Sequence, residues 1–240
     1  MTTPSNAPGG DSKLFEDNIQ QNDATNVPPK EMKTFERWRK SILYMTGQLE
    51  EGEKKQYEET ELLRIKQKQH RKCEKWKERL IKYSPMVTFM LGNLEKQGAE
   101  FRKEHFICME CDETRCGGFS PDGFIALCQN RFISKAHMED TMSHELIHAY
   151  DHCKYNVDWN NVYHVACTEV RAASLSGDCN WLMELRRGHF KFTKQHQACV
   201  KRRAILSLKS NPEFADVAEK AVGVVFDSCF NDTQPFDEIY

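Results

Sequence analysis

The chain has 240 residues, 39% of them hydrophobic, which allows one principal domain with extensions and argues against two full-size domains. Its formal net charge of -2 argues against a globally basic nucleic-acid-binding protein. A membrane-spanning helix requires an apolar run of about 18 residues, and every apolar run in the chain is much shorter, so a soluble or peripheral protein is expected.

The first 83 residues predict an extension in three parts. Residues 1–29 are rich in Asn, Gln, Thr, Pro and Gly without periodicity, which predicts disorder. Residues 30–48 predict a short amphipathic helix, in which Trp38 contacts either a membrane interface or, preferably, the domain or a partner. Residues 51–83 predict a long charged helix with a basic second half. That half suits an anionic lipid surface, although a solvated face with ion pairs is favoured and nucleic acid is the weakest interpretation.

The next segment predicts one helix and a small amount of β structure. Ser84 and Pro85 form a typical helix start, and Gly98 ends this helix. Strands are predicted at 105–109, 117–119 and 124–128, with a turn at 120–123. A small sheet of this kind covers a neighbouring helix, and its edge strand can bind an extended polypeptide by strand addition.

Residues 136–155 predict a helix that is buried on one side by an apolar stripe. Within it, His144 and His148 are one turn apart on the same face, with Glu145 beside them. This spacing is typical of catalytic zinc sites, in which two histidines bind Zn²⁺ and the glutamate acts on a water molecule. The alternative, a solvated polar face, is disfavoured by the apolar stripe.

A hydrolytic zinc site has three protein ligands, and three residues are candidates for the third. His152 lies about 12 Å along the helix axis from His144, too far for one straight helix to bring both to a metal. Glu169 lies on a second helix, predicted over 164–177, whose alanines permit close packing: Ala166, Ala172 and Ala173. His164 is the competitor, because imidazole is the better intrinsic zinc ligand. Glu169 is predicted as the ligand, and His164 as a neighbour of the site.

Further helices are predicted over 179–187, 192–210 and 212–230. Lys201, Arg202 and Arg203 form a compact basic patch on the second of them. A solvated face is the expected interpretation of this patch.

Several segments together resemble a known family. The run His144-Glu-Leu-Ile-His-Ala-Tyr-Asp151, with Ala166-Cys-Thr-Glu-Val-Arg-Ala-Ala173 and Leu175-Ser-Gly-Asp-Cys179, is similar to the mitochondrial inner-membrane metalloproteases that mature and assemble the ATP synthase membrane sector. Cys116-Gly-Gly-Phe-Ser120 and Cys229-Phe-Asn-Asp-Thr-Gln-Pro-Phe236 extend the resemblance to about residues 80–236.

The resemblance implies that His144 and His148 bind Zn²⁺ and that Glu145 is catalytic, while Glu169 stays the predicted third ligand. The expected fold is α+β and mostly helical, a zincin-like metalloprotease core with a small β-sheet or hairpin beside the zinc helix. The expected organisation is a disordered N-terminus over 1–29, a charged helical extension over 30–83, and a zinc metalloprotease domain over 84–240.

The expected reaction is zinc-dependent peptide hydrolysis, in which Glu145 takes a proton from water and delivers it to the leaving amine. Tyr163, His164 or Arg171 is expected to stabilise the oxyanion, and the sequence does not choose among them. The resemblance implies that the substrate is the precursor of ATP synthase membrane subunit 6, with an added role in assembly. A non-proteolytic assembly chaperone is the first alternative.

The second alternative is a nuclear, DNA-linked protease, because the histidine motif also resembles the SprT-like one. In that case His164 would be the third ligand. The chain has no zinc-ribbon tail and no net positive charge, so no nucleic-acid partner is expected.

The chain contains ten cysteines, and their arrangement indicates whether the protein resides in a reducing or an oxidising cellular compartment. In a reducing compartment, Cys108, Cys111, Cys116 and Cys128 would indicate a structural zinc knuckle. Cysteines spread over many helices instead indicate disulfides in an oxidising compartment. Residues 1–30 contain no Arg and no apolar core, so neither a matrix presequence nor a secretory signal is predicted. The resemblance implies a peripheral protein on the inner membrane, facing the intermembrane space.

Overall fold

The structure, a computed structural model, describes residues 34–112, 115–179, 184–185, 187–188 and 195–237. The helices are α1 Thr34–Met45, α2 Glu51–Tyr83, α3 Pro85–Lys96, α4 Lys135–Tyr155, α5 Val162–Leu175, α6 Gln195–Lys209 and α7 Ala218–Asn231. The strands are β1 Phe106–Met109, β2 Gly117–Ser120 and β3 Phe124–Cys128, and short 3-10 turns cover Lys103–His105 and Ala215–Val217. The disorder predicted for 1–29 and most of the helix predicted over 179–187 lie outside the described residues.

The described part of the chain is mostly helical with one three-stranded sheet, which confirms the α+β prediction. The strand order is β1-β3-β2, with β1 parallel and β2 antiparallel to β3. The turn between β2 and β3 is closed by the Gly123 amide, which donates to the Ser120 carbonyl at 2.9 Å. Gly123 has a φ of 94°, a conformation that glycine adopts without strain. Among the described strands, β2 has a neighbour on one side only.

The chain divides into two compact units at His70. In the first unit, α1 packs on the start of α2 through Tyr44, whose hydroxyl donates to Glu58 at 2.8 Å and whose ring lies 5.1 Å from that of Tyr57. None of the residues of α1 is buried. The second unit runs from Arg71 to the C-terminus and contains the last part of α2 and all later elements.

Two apolar clusters form the core of the second unit, and α5 takes part in both. One joins α2, α3, the sheet and α4, with Leu80, Met90, Ile125, Leu127, Met142, Leu146 and Ile147 fully buried. The other joins α5, α6 and α7 through Val170, Val200, Leu208 and Val222. Ala172 belongs to the first cluster, whereas Ala166 and Ala173 belong to the second. Of the three alanines predicted to let α5 approach α4 closely, only Ala172 therefore faces the apolar cluster that includes α4.

The solvated face predicted for the basic half of α2 holds for most of its Lys and Arg residues, and Lys77 is the exception. Lys77 is 6% exposed, and its ammonium donates to Glu74 at 2.7 Å and to the Phe106 carbonyl at 2.9 Å. Cys73 and Leu80 are buried on the same stretch. The prediction missed the burial of Lys77, because helical periodicity does not show that the aliphatic part of a lysine side chain packs against a core while its charge finds partners.

The start of α7 also differs from the prediction, which began this helix at 212. The side chain of Asn211 accepts the Glu213 amide at 3.0 Å, and such a local bond competes with helix formation. A 3-10 turn follows at Ala215–Val217, and α7 begins at Ala218.

Four disulfides connect the elements of the second unit, which confirms the disulfide prediction. They join Cys73 to Cys108, Cys111 to Cys128, Cys167 to Cys229 and Cys179 to Cys199. The zinc-knuckle alternative is wrong, because three of its four cysteines are in disulfides. Cys116 and Cys153 are free thiols, the first half-buried and the second exposed.

Candidate metal centre and active site

Helix α4 presents the two histidines of the motif on one face. It begins after Ser134, whose hydroxyl accepts the His137 amide at 3.1 Å, and it ends at Asn156 in the left-handed conformation. Both features are typical helix caps. The rings of His144 and His148 are 4.8 Å apart, centroid to centroid. Their Nε2 atoms are therefore placed to bind the same ion.

Helix α5 brings Glu169 to the same point. Glu169 Oε2 lies 3.6 Å from His144 Nε2, and Glu169 Oε1 lies 3.6 Å from His148 Nε2. One ligand atom from each residue lies within 4.8 Å of the others. In a tetrahedral zinc site with bonds near 2.1 Å, neighbouring ligand atoms are about 3.4 Å apart. Each carboxylate oxygen is therefore near the spacing that such a site requires from the imidazole it faces.

The other two candidates for the third ligand have different partners. His164 is exposed, and its Nδ1 accepts the Asp158 amide at 3.2 Å. His152 accepts from the Trp159 indole at 3.2 Å. Among the described residues, the structure brings Glu169 to the histidine pair and neither of these two.

Arg171 was one of three residues expected to stabilise an oxyanion, and this expectation is wrong. Its side chain is 2% exposed, and its guanidinium donates to Asp151 at 3.0 Å and pairs with Asp232 at 2.8 Å. A buried guanidinium held by two carboxylates has no reach to a substrate carbonyl. These partners could not be predicted from the sequence, because Asp151 and Asp232 are 20 and 61 residues away from Arg171. Tyr163 and His164 stay predictions for that role.

Glu145 lies beside the ligand cluster in a largely dry position. It is 7% exposed, and its carboxylate accepts the backbone N–H of Phe119 in β2. Burial raises the pKa of Glu145 to about 7, opposed by His144 and reinforced by the charge of Glu169. A carboxylate with a pKa near neutrality can both accept and return a proton at physiological pH.

Charge is distributed unequally over the cluster. Burial lowers the pKa of His148 to about 4 and keeps this imidazole neutral. Burial raises the pKa of Glu169, but His148, His144 and a hydrogen bond from Ser207 outweigh it and bring that pKa to about 2. An ionised carboxylate facing a neutral imidazole lone pair is an arrangement that a divalent cation stabilises.

A cavity of about 410 Å³ opens onto His144, Glu145 and Glu169. Its wall includes Cys116 and Gly117 at the start of β2, Asp140 and Thr141 on α4, Leu206 and Ser207 on α6, and Ser210 just after α6. Binding pockets of this size accommodate small ligands or side chains. The catalytic candidates therefore lie at a place that a substrate can reach.

An ion-pair cluster fixes one side of this cavity. Asp178 binds Arg187 at 2.5 Å and Arg203 at 2.6 Å, and Arg202 binds the buried Glu184 at 2.8 Å. Burial raises the pKa of Asp178, but Arg203 and Arg187 outweigh it and lower that pKa. Lys201 and Arg203 are exposed, as predicted for the basic patch on α6, whereas Arg202 is half-buried, and both arginines have a carboxylate partner outside the helix.

Gly117 is required where β2 crosses α4. A Cβ at this position would lie 2.6 Å from Thr141 Cγ2, 3.1 Å from the Ala126 carbonyl and 3.3 Å from Glu145 Oε1. Gly117→Ala is expected to lower the free energy of unfolding by about 1–3 kcal/mol, as overpacking does, and to reduce activity by displacing Glu145. Urea unfolding and peptide cleavage measure the two effects. Gly92→Ala is the control, since a Cβ there meets nothing within 4 Å, and it should be neutral or stabilising.

Several residues of the site carried no predicted role. Thr168 and Asp151 bond in series to His148, Ser207 bonds to Glu169, and the Phe119 amide bonds to Glu145. The available signal was spacing: Asp151 follows His148 by three residues, and Thr168 directly precedes Glu169. Spacing alone does not show which face of α5 meets α4, so these contacts needed the tertiary structure.

Comparison with known proteins shows the family of the chain. A family model described as the peptidase M76 family matches residues 71–237. The chain is 45% identical over 211 residues to the mitochondrial inner membrane protease atp23 of Aspergillus clavatus, covering 86% of this chain and 89% of the relative. It is 44% identical over 220 residues to the protein of that name from Debaryomyces hansenii, covering 90% and 93%. No solved structure matches the chain significantly. The chain belongs to the peptidase M76 family.

Proposed function

We propose that the protein is a zinc-dependent endopeptidase in which His144, His148 and Glu169 hold Zn²⁺ and Glu145 is the general base. One observation carries this proposal: three ligand atoms lie within 4.8 Å of one another, and His144, Glu169 and the neighbouring Glu145 line the cavity. The proposed unit for this chemistry is a zincin-like domain over 84–240, with 30–83 as an extension.

A bound Zn²⁺ polarises a peptide carbonyl and lowers the pKa of water. The chain supplies the remaining steps. Glu145 takes a proton from the attacking water and then delivers it to the leaving amine. The Phe119 amide holds the carboxylate in position for both transfers. The side of β2 that faces away from β3 is the proposed place where an extended substrate is added, through main-chain groups other than the Phe119 amide, which Glu145 occupies.

Metal removal tests the chemistry. The purified protein is expected to contain about one Zn²⁺ per chain and to cleave a peptide substrate. Chelation should abolish cleavage while leaving the four disulfides intact, and added Zn²⁺ should restore it. Cleavage that persists in protein shown to be free of metal would contradict the proposal.

The proposed location is the inner mitochondrial membrane, peripheral and facing the intermembrane space. The relatives are named mitochondrial inner membrane proteases, and the disulfides suit an oxidising compartment. Within the described residues, no helix has both the length and the apolarity needed to cross a membrane.

Helix α1 is the proposed membrane contact. Phe35, Trp38 and Met45 are 70%, 59% and 73% exposed, and basic residues flank them: Arg37, Arg39 and Lys40. Exposed aromatic and basic residues together suit an anionic membrane interface. The full chain should sediment with phosphatidylglycerol vesicles, and Trp38→Ala should weaken this binding. Val224→Ala is the control, because that side chain is 66% exposed on α7. Equal binding by all three proteins would contradict the assignment.

The proposed substrate is the precursor of ATP synthase membrane subunit 6, and the resemblance of the sequence motifs supports it. An assembly role without cleavage is the alternative. A Glu145→Gln protein separates the two, because it retains every surface of the molecule and lacks only the base. Cells that carry this variant should accumulate the uncleaved precursor, and ATP synthase assembled in them would assign the second role to the same protein.

A further inference from the structure

His148 is held by a chain of hydrogen bonds on the side away from Glu169. Its Nδ1 lies 2.9 Å from the Thr168 hydroxyl, and that hydroxyl donates to Asp151 at 2.8 Å. All three side chains are buried. The contacts follow from matched spacing, because His148 and Asp151 are three residues apart on α4, and Thr168 and Arg171 are three apart on α5.

The direction of these bonds determines the tautomer of His148. A hydroxyl has one hydrogen, and that of Thr168 is directed to Asp151. Thr168 must therefore accept from His148, so Nδ1 carries the proton. Nε2 is then left with its lone pair, and it faces Glu169 Oε1 at 3.6 Å. This is the form of the ring that binds a metal through Nε2.

The series of hydrogen bonds continues through Arg171 to the C-terminal segment, residues 232–236. Arg171 donates to both oxygens of Asp151 at 3.0 Å. Its other nitrogens reach the backbone carbonyl of Asp232 at 2.6 Å and that of Gln234 at 2.5 Å. A buried guanidinium needs all of these acceptors, because a donor left unpaired in the interior loses its bond to water without a replacement.

The C-terminal segment is itself fixed in place. The Tyr155 hydroxyl donates to the Asp232 carboxylate at 2.9 Å, and the rings of Phe236 and Phe89 stack 5.0 Å apart. The Cys167–Cys229 disulfide ties the end of α7 to the residue before Thr168. The segment is therefore joined to α3, α4 and α5 at once.

We infer that Thr168, Asp151 and Arg171 form a positioning relay that couples the C-terminal segment to the metal affinity of His148 by fixing its tautomer. The inference rests on the proposed function, because it takes His148 as a ligand. None of the three residues contacts the cavity, so they act through His148 and take no part in the chemistry. The segment completes the relay by satisfying Arg171, which keeps the Asp151 carboxylate in line with Thr168.

Thr168→Val and Thr168→Ser test the relay at its first bond. Valine keeps the shape of threonine and removes the hydroxyl, whereas serine keeps the hydroxyl. Measured by competition with a chelator, Thr168→Val should bind Zn²⁺ about 10–100-fold more weakly, as losses of outer hydrogen bonds to metal ligands do. Thr168→Ser should stay close to the original protein. Equal affinity of the valine variant and the original protein would overturn the inference.

Imidazole ¹⁵N chemical shifts of the metal-free original protein give a second readout that needs no variant. They should show His148 protonated on Nδ1, and Thr168→Val should move the population toward the Nε2-protonated form. A metal-free protein with His148 protonated on Nε2 would overturn the inference, whether or not the valine variant folds.

The C-terminal end of the relay has its own pair of variants. Asp232→Ala should weaken Zn²⁺ binding in the same direction as Thr168→Val and by less. Asp237→Ala, an exposed carboxylate in the same region, should leave it unchanged. Equal Zn²⁺ affinity in both would contradict the coupling to the segment. Failure of the original protein to bind Zn²⁺ would instead contradict the proposed function.

Discussion

Replacing Glu145 with glutamine is expected to lower kcat for peptide cleavage by about 10²–10⁴-fold, the usual contribution of a general base. Glutamine has the same shape and still accepts the Phe119 amide, but it cannot take a proton from water. Zinc content should be unchanged, because Glu145 is outside the ligand cluster. Stability should be equal or higher, because burial penalises the charged form of this carboxyl and raises its pKa. Single-turnover cleavage, metal analysis and thermal unfolding measure the three effects.

Glu139→Gln is the matched control for this experiment. Glu139 lies on the same helix, and its carboxylate accepts from the Ser84 hydroxyl at 2.6 Å, a contact that glutamine can keep. This variant should cleave at the original rate. A Glu145→Gln protein with full zinc content and unchanged kcat would show that another group is the base.

Removing the Cys167–Cys229 disulfide is expected to cause the largest loss of stability among the changes considered. The bond closes a loop with a sequence separation of 62. The chain-entropy relation gives a loss of about 4 kcal/mol for a loop of this length, which corresponds to a fall in Tm of about 10 °C for a protein of this size. Cys167→Ser with Cys229→Ser, followed by calorimetry, measures it. Zinc affinity should fall as well, since Cys167 directly precedes Thr168 and Glu169.

Cys153→Ser is the control, because Cys153 is an exposed free thiol on α4. Its Tm should match that of the original protein. Mass analysis would first establish that the bond is present in the original protein. A double variant that is then as stable as Cys153→Ser would contradict the structural role of the bond.

The local parts of the site could be predicted from the sequence. The apolar stripe of α4 and the spacing of His144 and His148 depend on one helix, so periodicity was sufficient to place both imidazoles on one face. The start of α3 at Ser84 and Pro85 and the turn before β3 depend on caps and turn residues, and both are confirmed. Each of these features depends only on residues that are close together in the sequence.

The parts that depend on two elements could not be predicted in the same way. Glu169 reaches the histidines only if α5 packs one face against α4 and the other against α6 and α7. Because alanines lie on both faces of α5, the sequence does not show which face packs against α4. The role of Arg171 was mistaken for the same reason, because its partners at 232 and 234 lie beyond α6 and α7. The pairing of eight cysteines likewise depends on how the helices pack.

The identity of the third ligand is the central claim, and zinc affinity tests it most directly. Chelator competition would compare Glu169→Ala and His164→Ala with the original protein. The structure predicts that Glu169→Ala weakens Zn²⁺ binding by more than about 100-fold, since losing a ligand exceeds the effect of losing an outer hydrogen bond, and that His164→Ala leaves it unchanged. Zinc binding that is lost in His164→Ala and retained in Glu169→Ala would contradict the account.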